Sequence, residues 1–402
     1  MRIACACLAL GLSLSLTAGA SITEAPGQHT WTLTSGSVEY RIGASGPDGA
    51  IALLYFGPSG RTSWTAIPPA HHAERAEIGG MVNGQPIRPE MLKLEKQSIS
   101  GESTETPELH LLFRHTQLPL EVEAVYTTYA NTGVITKRIT FHNIGTSQLM
   151  VASAPSLSLL LPPDAYEVSY LHGGWGRELQ LQTAPVRDAA LSFVDTTGRS
   201  SNGFSPWFVL HDINTGVRYG AQLAYSGNWQ MNFNQVNEKR AVESHEQDLS
   251  VTMGMRFDFG GDARLLPGKS LELPEVAFTA SNGDLDDVAN QFHRYQRRYV
   301  FAHTPTNSPP LVTMNVWQVT RRNPKAVDIK RFADLIAPLG MEALIIDSGW
   351  FEHEHHPNAD SPTDPTLPPI WGNWEPDSEY FPKGLSDVAD YTHAKGMKFG
   401  VW

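Results

Sequence analysis

Cysteine is what this chain most lacks. Only 2 of its 402 residues are cysteine, Cys5 and Cys7, and both sit in the first apolar stretch. Met1-Arg2 is a short basic start, residues 3–16 are apolar, and Ala18-Gly19-Ala20 is a small-residue cleavage signal. That is the pattern of a secretory signal peptide, too short to span a membrane. A lipoprotein cysteine would follow the apolar segment rather than begin it, so lipidation is not expected. A protein cut near Ala20 is then secreted or periplasmic yet has no disulfide, and its stability must come from packing. No later run reaches the ~18 apolar residues of a membrane helix, so no membrane insertion is expected. Positive charge is scarce too. Lys and Arg number 30 against 42 Asp and Glu, a net −12, which argues against nucleic acid or an anionic membrane as partner. Charged residues make up 18% of the chain, beside 10 Trp and 12 Tyr. This composition suits a neutral polar ligand that stacks on rings.

What the chain does have is length, apolar content (41%) and turn formers (28 Pro, 34 Gly), the mark of a folded, loop-rich protein of two or three domains. From about residue 30 to 280 it is written in period two. Leu120-Glu121-Val122-Glu123-Ala124-Val125-Tyr126 alternates, and after turn residues at 131–133 Arg138-Ile139-Thr140-Phe141-His142 alternates again. Strand, turn, strand at this spacing predicts a β-hairpin. Similar runs at 31–42, 51–56, 109–113, 218–225 and 251–257, with no helical period between them, predict a large antiparallel sandwich.

At Asp284 the period changes. Leu285, Val288, Phe292, Tyr295 and Tyr299 fall at helical spacing behind an Asp N-cap, which predicts a linker helix leading into a Pro-rich boundary at 304–310. Then come a strand at 311–314 and a helix opened by Asn323-Pro324, with apolar face Ile329, Phe332, Leu335, Ile336 and Leu339. A strand at 343–346, a helix marked by Leu385, Val388, Ala389 and Thr392, and a strand at 397–402 follow. Alternating βα units mean a parallel sheet. Three strands and two helices are expected to be the first part of a (β/α)8 barrel, which takes about 250 residues. The expected divisions are a signal peptide 1–20, a sandwich 21–283, a linker 284–308 and a partial barrel 309–402.

Residues after the parallel strands carry the chemistry: Asn315 and Trp317, then Asp347, Ser348 and Trp350, then Trp402. In a barrel they share one rim. An acid among tryptophans suits a sugar, whose hydroxyls donate to the carboxylate while its apolar face lies on an indole. The alternative is that the rings pack the barrel mouth and Asp347 caps its strand. Three tryptophans at successive strand ends with an acid between them favour the sugar.

Asn315-Val316-Trp317, Ile346-Asp347-Ser348-Gly349-Trp350-Phe351, Trp371-Gly372-Asn373-Trp374-Glu375-Pro376-Asp377, Phe381-Pro382-Lys383-Gly384-Leu385 and Gly396-Met397-Lys398-Phe399-Gly400-Val401-Trp402 resemble the opening of the barrel in glycoside hydrolase family 36, the retaining α-galactosidases and their relatives. His172-Gly173-Gly174-Trp175-Gly176-Arg177-Glu178, Gly198-Arg199-Ser200-Ser201-Asn202, Tyr225-Ser226-Gly227-Asn228-Trp229, Leu273-Pro274-Glu275-Val276 and Phe292-His293-Arg294-Tyr295-Gln296-Arg297-Arg298 are similar to that family's β-supersandwich domain and the helix after it. The resemblance implies that Asp347 matches the first of a pair of acids binding hydroxyls of a terminal galactose. Trp317 and Trp402 match walls of that subsite, and Trp374 matches the Trp of a Gly-Asp-Trp. With Ser348 and Trp350 these are the expected substrate-binding residues. The family's nucleophile and acid/base are expected beyond residue 402, so the chain as written is expected to be inactive alone.

Two positions depart from the family: Ser348 stands where the second acid belongs, and Asn373 where an acid precedes Trp374. A shorter neutral residue leaves room for a bulkier or N-acetylated sugar. The run His353, His355, His356 with Glu352 and Glu354 on a Pro-rich loop reads as solvated rather than as a metal site, and no cofactor is expected. The 198–202 segment is either a loop reaching an active site, its own or a neighbouring subunit's, or a turn whose Arg pairs locally. Trp175 and the 225–229 segment read as packing or interface, and a homo-oligomer is compatible with either. The leading expectation is an exported α-galactoside hydrolase working by double displacement. An α-N-acetylgalactosaminidase or galactosyl transglycosylase shares the fold, and a non-catalytic sugar-binding sandwich is the reading from another class.

Overall fold

A computed structural model describes residues 19–45, 50–61, 77–186, 190–236, 248–257, 263–301, 310–321, 323–351 and 374–402. Residues 1–18 of the expected signal peptide 1–20 and most of the Pro-rich boundary thus lie outside the described residues. The chain forms two compact units, Met1–Ala302 and His303–Trp402.

Alternation builds the first unit. In the strand Glu108–His115, Leu109, Leu111 and Phe113 are buried while Glu108, His110 and Arg114 point outward. Its neighbour Leu120–Thr128 sets Ala124 opposite Leu111 and Val122 opposite Phe113, so the apolar faces meet row by row. The expected hairpin forms: Leu120–Thr128 pairs with Val134–Asn143, Phe141 opposite Val122 and Ile139 opposite Ala124. Asn131 (φ 63°) and Gly133 (φ 81°) supply the left-handed backbone of its turn.

These strands belong to a ten-stranded sheet, and three four-stranded sheets accompany it, every pairing antiparallel. Side chains from all of them meet in one apolar core, from Trp31 and Tyr40 through Leu111 and Phe141 to Trp229 and Phe278. That is a β-sandwich. The single run expected at 31–42 is instead two paired strands, Thr30–Ser35 and Val38–Ser45, turned at Gly36 with φ 55°. The buried apolar positions change phase there, from Trp31 and Leu33 before the turn to Val38, Tyr40 and Ile42 after it.

A charged pair lies inside this core. The Lys137 ammonium donates to Glu77 Oε2 at 2.9 Å and to the Glu77 carbonyl, and neither side chain reaches solvent. Tyr40 and Tyr126 hydroxyls donate to the same carboxylate at 2.6 and 2.8 Å.

The helix Leu285–Tyr295 begins at a capping box in which the Asp284 carboxylate accepts the Asp287 N–H and Asp287 reaches back to the Asp284 N–H. Val288, Phe292 and Tyr295 pack on Val134, Val209 and Ala277 of the large sheet. The helix is therefore docked on the sandwich rather than spanning freely as a linker.

In the second unit the strands Thr313–Asn315, Ala343–Ile346 and Lys398–Val401 form a parallel sheet, with Met314 opposite Leu344 and Leu344 opposite Phe399. Ala343–Ile346 is central, which is why its apolar run is unbroken. Helices Ala326–Ile336 and Gly384–Ala394 follow the first two strands in chain order. Ile329, Ala333, Ile336 and Val388 are buried, and Lys330 Nζ bonds Asp387 Oδ2 at 2.7 Å, holding that carboxyl below its usual range. Leu335 and Leu339, expected on the buried face, are exposed here. No helix among the described residues is long and apolar enough to cross a membrane.

Candidate active site

Because the three strands are parallel and in register, their carboxyl ends emerge on one edge. The ladder runs one step further, with the Val316 N–H on the Ile345 carbonyl (3.1 Å) and the Trp402 N–H on the Ile346 carbonyl (2.9 Å). This brings Asn315, Asp347 and Trp402 side by side.

Asp347 is half-buried, and among the described residues each carboxylate oxygen has one donor. Oδ2 accepts from Asn315 Nδ2 at 2.7 Å, and Oδ1 accepts the Ser348 N–H at 2.7 Å. A carboxylate oxygen accepts two hydrogen bonds, so each can still take a ligand hydroxyl. Asn315 was singled out in the sequence at its strand end, but its bond to Asp347 was not. Its Oδ1 also accepts the Trp317 N–H at 2.8 Å, starting the short helical turn Trp317–Thr320.

After Ser348, which is nearly buried, Gly349 adopts φ 103°, a conformation that favours glycine, and the chain turns inward. Trp350 is thereby 6% exposed, and its indole N–H donates to the Trp402 carbonyl at 2.7 Å. The sequence reading placed Trp350 among the substrate-binding residues. In the structure its indole N–H is bonded and its ring is almost wholly covered.

The exposed rings are Trp374 and Trp402, each 49% accessible, with centroids 6.0 Å apart and planes at 55°. Phe351 is wedged between them, 5.4 Å from Trp374 and 6.3 Å from Trp402, and Trp350 lies 6.1 Å from Trp374. Trp374 has φ 52°, a left-handed conformation uncommon outside glycine and held here by these contacts. The Asp377 N–H bonds the Trp350 carbonyl (3.0 Å), and Phe351 bridges Pro376. The buried Asp377 carboxylate accepts the N–H groups of Glu379 and Tyr380, fixing the turn beyond. Trp371, Asn373 and the histidine run at 353–356 lie outside the described residues. Among the described residues no group of three or more His, Cys, Asp or Glu side chains could hold a metal ion.

In the first unit, the 198–202 segment is a built turn. Asp195 accepts the N–H groups of Thr197 and Asn202, Asn228 Oδ1 accepts the Gly198 N–H, and the indole of Trp229 donates to the Ser200 carbonyl. Trp229 is fully buried, as expected of packing. Arg199 is exposed with no ion-pair partner among the described residues, so of the two readings of this segment the local pairing of its Arg is not seen there. Trp175, read from sequence as packing or interface, is 85% exposed and does not pack.

Two family models match the chain: the glycosyl hydrolase family 36 N-terminal domain over residues 54–253 and melibiase over residues 270–402. The chain belongs to glycoside hydrolase family 36. Among curated family 36 relatives, alpha-galactosidase Mel36A of Lactobacillus acidophilus is 27% identical over 77% of this chain and 40% of its own length. Alpha-galactosidase AgaA of Geobacillus stearothermophilus is 27% identical over 74% of this chain and 39% of its own. The chain thus spans about 40% of the relatives' length. The solved galactosidase domain of AgaSK superposes with a TM-score of 0.80 at 20% identity, covering 95% of this chain and 57% of that one. The solved AgaA structure gives 0.78 at 22% identity, over 93% and 56%. These two likenesses show a shared fold.

Proposed function

We propose that this chain carries the sugar-binding wall of a retaining α-galactoside hydrolase. The observation that supports it best is Asp347, held between two hydrogen bonds on the edge that also presents Trp374 and Trp402. Asp347 accepts two hydroxyls of the terminal galactose, and the apolar sugar face lies on an indole. Two solved variants of AgaA are complexes with raffinose and with stachyose, both α-galactosides, which supports the same substrate class here.

In this reading the three-stranded parallel sheet is the opening of a (β/α)8 barrel and the protein is exported. The reaction is double displacement through a covalent galactosyl-enzyme, with two carboxyls ~5–5.5 Å apart across the bond. The described strand ends here hold one acid, Asp347, so residues 21–402 alone are expected not to cleave nitrophenyl α-galactoside. Turnover by that purified piece would refute this assignment of roles.

Ser348 favours a second substrate. Where the family pairs two acids this chain has a small hydroxyl, which leaves room for a larger substituent. Assaying the full-length protein on nitrophenyl α-galactoside and nitrophenyl α-N-acetylgalactosaminide decides between them. Cleavage of the first supports the galactosidase reading, preference for the second supports the N-acetylgalactosamine reading, and inactivity on both refutes each.

A further inference from the structure

We infer that Asn315 is a positioning residue that sets the orientation of the Asp347 carboxylate. The inference rests on the sugar-binding reading of Asp347 given above. Asn315 is exposed at the end of the outer strand Thr313–Asn315, and no apolar contact explains its presence there. Its amide is used from both ends. Nδ2 donates to Asp347 Oδ2 at 2.7 Å, and Oδ1 accepts the Trp317 N–H at 2.8 Å. The second bond fixes the amide orientation, since exchanging its N and O would set two donors face to face. With Oδ1 committed to a backbone N–H, only the NH2 end can face Asp347, and it does so as a donor. The Ser348 N–H holds the other oxygen, so rotation of the carboxylate about its Cβ–Cγ bond is stopped from both sides.

The pair also links two strands at the rim. Asn315 reaches from the first strand to the second, so the turn bearing Trp317 and the acid of the subsite are set by one side chain. The remaining lone pairs of Asp347 then point where a hydroxyl pair can meet them, which costs the ligand no reorganisation.

Two substitutions in the full-length protein separate positioning from mere structure. Asn315→Ala removes both bonds. KM for nitrophenyl α-galactoside is expected to rise about tenfold, the scale of one hydrogen bond to a charged group, with thermal stability unchanged because the site is exposed. Asn315→Asp keeps an acceptor for the Trp317 N–H but sets a second carboxylate against Asp347. Like charges that close raise one pKa of the pair, so the two acids share a proton as pH falls. The KM of Asn315→Asp relative to wild type is therefore expected to be large at neutral pH and to shrink in acid, as a shared O–H replaces the lost N–H donor. The same ratio for Asn315→Ala is expected to stay flat. Wild-type KM in either variant, or identical pH dependence of the two ratios, overturns the inference. A crystal structure of Asn315→Ala decides it without any substrate: the Asp347 carboxylate is expected to turn from its present rotamer, and an unmoved carboxylate refutes the role. A wild-type protein that cleaves no α-galactoside would refute the functional reading alone, and the variant structure would still judge Asn315.

Discussion

Replacing Lys137 by methionine removes the amine of the buried Lys137–Glu77 pair while keeping side-chain length. Lys137 is fully buried, and its Nζ lies 2.9 Å from Glu77 Oε2. Without it the Glu77 carboxylate keeps, among the described residues, only the Tyr40 and Tyr126 hydroxyls as side-chain donors. Burial and the adjacent carboxylate push both phenols well above their ordinary pKa, so they stay protonated but bring no positive charge. Stripping one partner from a buried ion pair costs about 3–5 kcal/mol, because the other charge is left uncompensated in the core. Spread over a unit of this size, that lowers the melting temperature by on the order of 10 °C. Urea unfolding followed by tryptophan fluorescence reads the loss, since Trp31 and Trp229 are buried in the same core. The double variant Lys137→Met with Glu77→Gln exchanges the stranded charge for a neutral acceptor and is expected to regain about half of the loss. A Lys137→Met variant within about 1 kcal/mol of wild type, or a double variant no better than the single one, would show that the pair is not held as described.

His115 makes stability pH-dependent. Its Nδ1 accepts the N–H groups of Gln117 and Leu118, which keeps the ring neutral, and burial pushes its pKa below the usual value. The unfolded chain takes a proton that the folded one refuses, so stability is full above about pH 6.5 and falls as pH drops through that value. The urea midpoint of wild type should fall between about pH 8 and pH 5 more steeply than that of His115→Asn; equal slopes would contradict this. Ser348→Asp restores a paired acid beside Asp347 and is expected to lower KM for nitrophenyl α-galactoside by up to about tenfold, one charged hydrogen bond. An unchanged KM would mean that position 348 does not face the sugar.

The sandwich was legible where one sheet face is solvated. Leu109, Leu111 and Phe113 announce their strand because the residues between them meet water. Alternation fades at Val134-Ile135-Thr136-Lys137, all four buried, because the helix Leu285–Tyr295 covers the second face. A lysine between threonine and arginine reads as surface, so the Lys137–Glu77 pair left no sequence signal; its partner lies 60 residues away. Leu335 and Leu339 fit the helical period yet are exposed, since period reports which side is apolar and not what covers it. Asp347, Trp350 and Trp402 were legible as residues at the ends of parallel strands. Which ring stays exposed was not, because burial of Trp350 follows from Gly349 turning the chain and from a carbonyl 52 residues away. Asn315 was legible as a strand-end residue but its partner was not, because only the register of two parallel strands puts its amide on Asp347.

The central claim is that Asp347 grips the sugar, and kcat/KM of full-length Asp347→Asn on nitrophenyl α-galactoside tests it most directly. The carboxamide keeps the shape but turns an acceptor of hydroxyl protons into a donor that also faces the Asn315 NH2. Loss of two charge-assisted hydrogen bonds is expected to reduce kcat/KM by roughly a hundredfold or more, with the melting temperature unchanged. A variant within about threefold of wild type would place the sugar elsewhere and contradict the account.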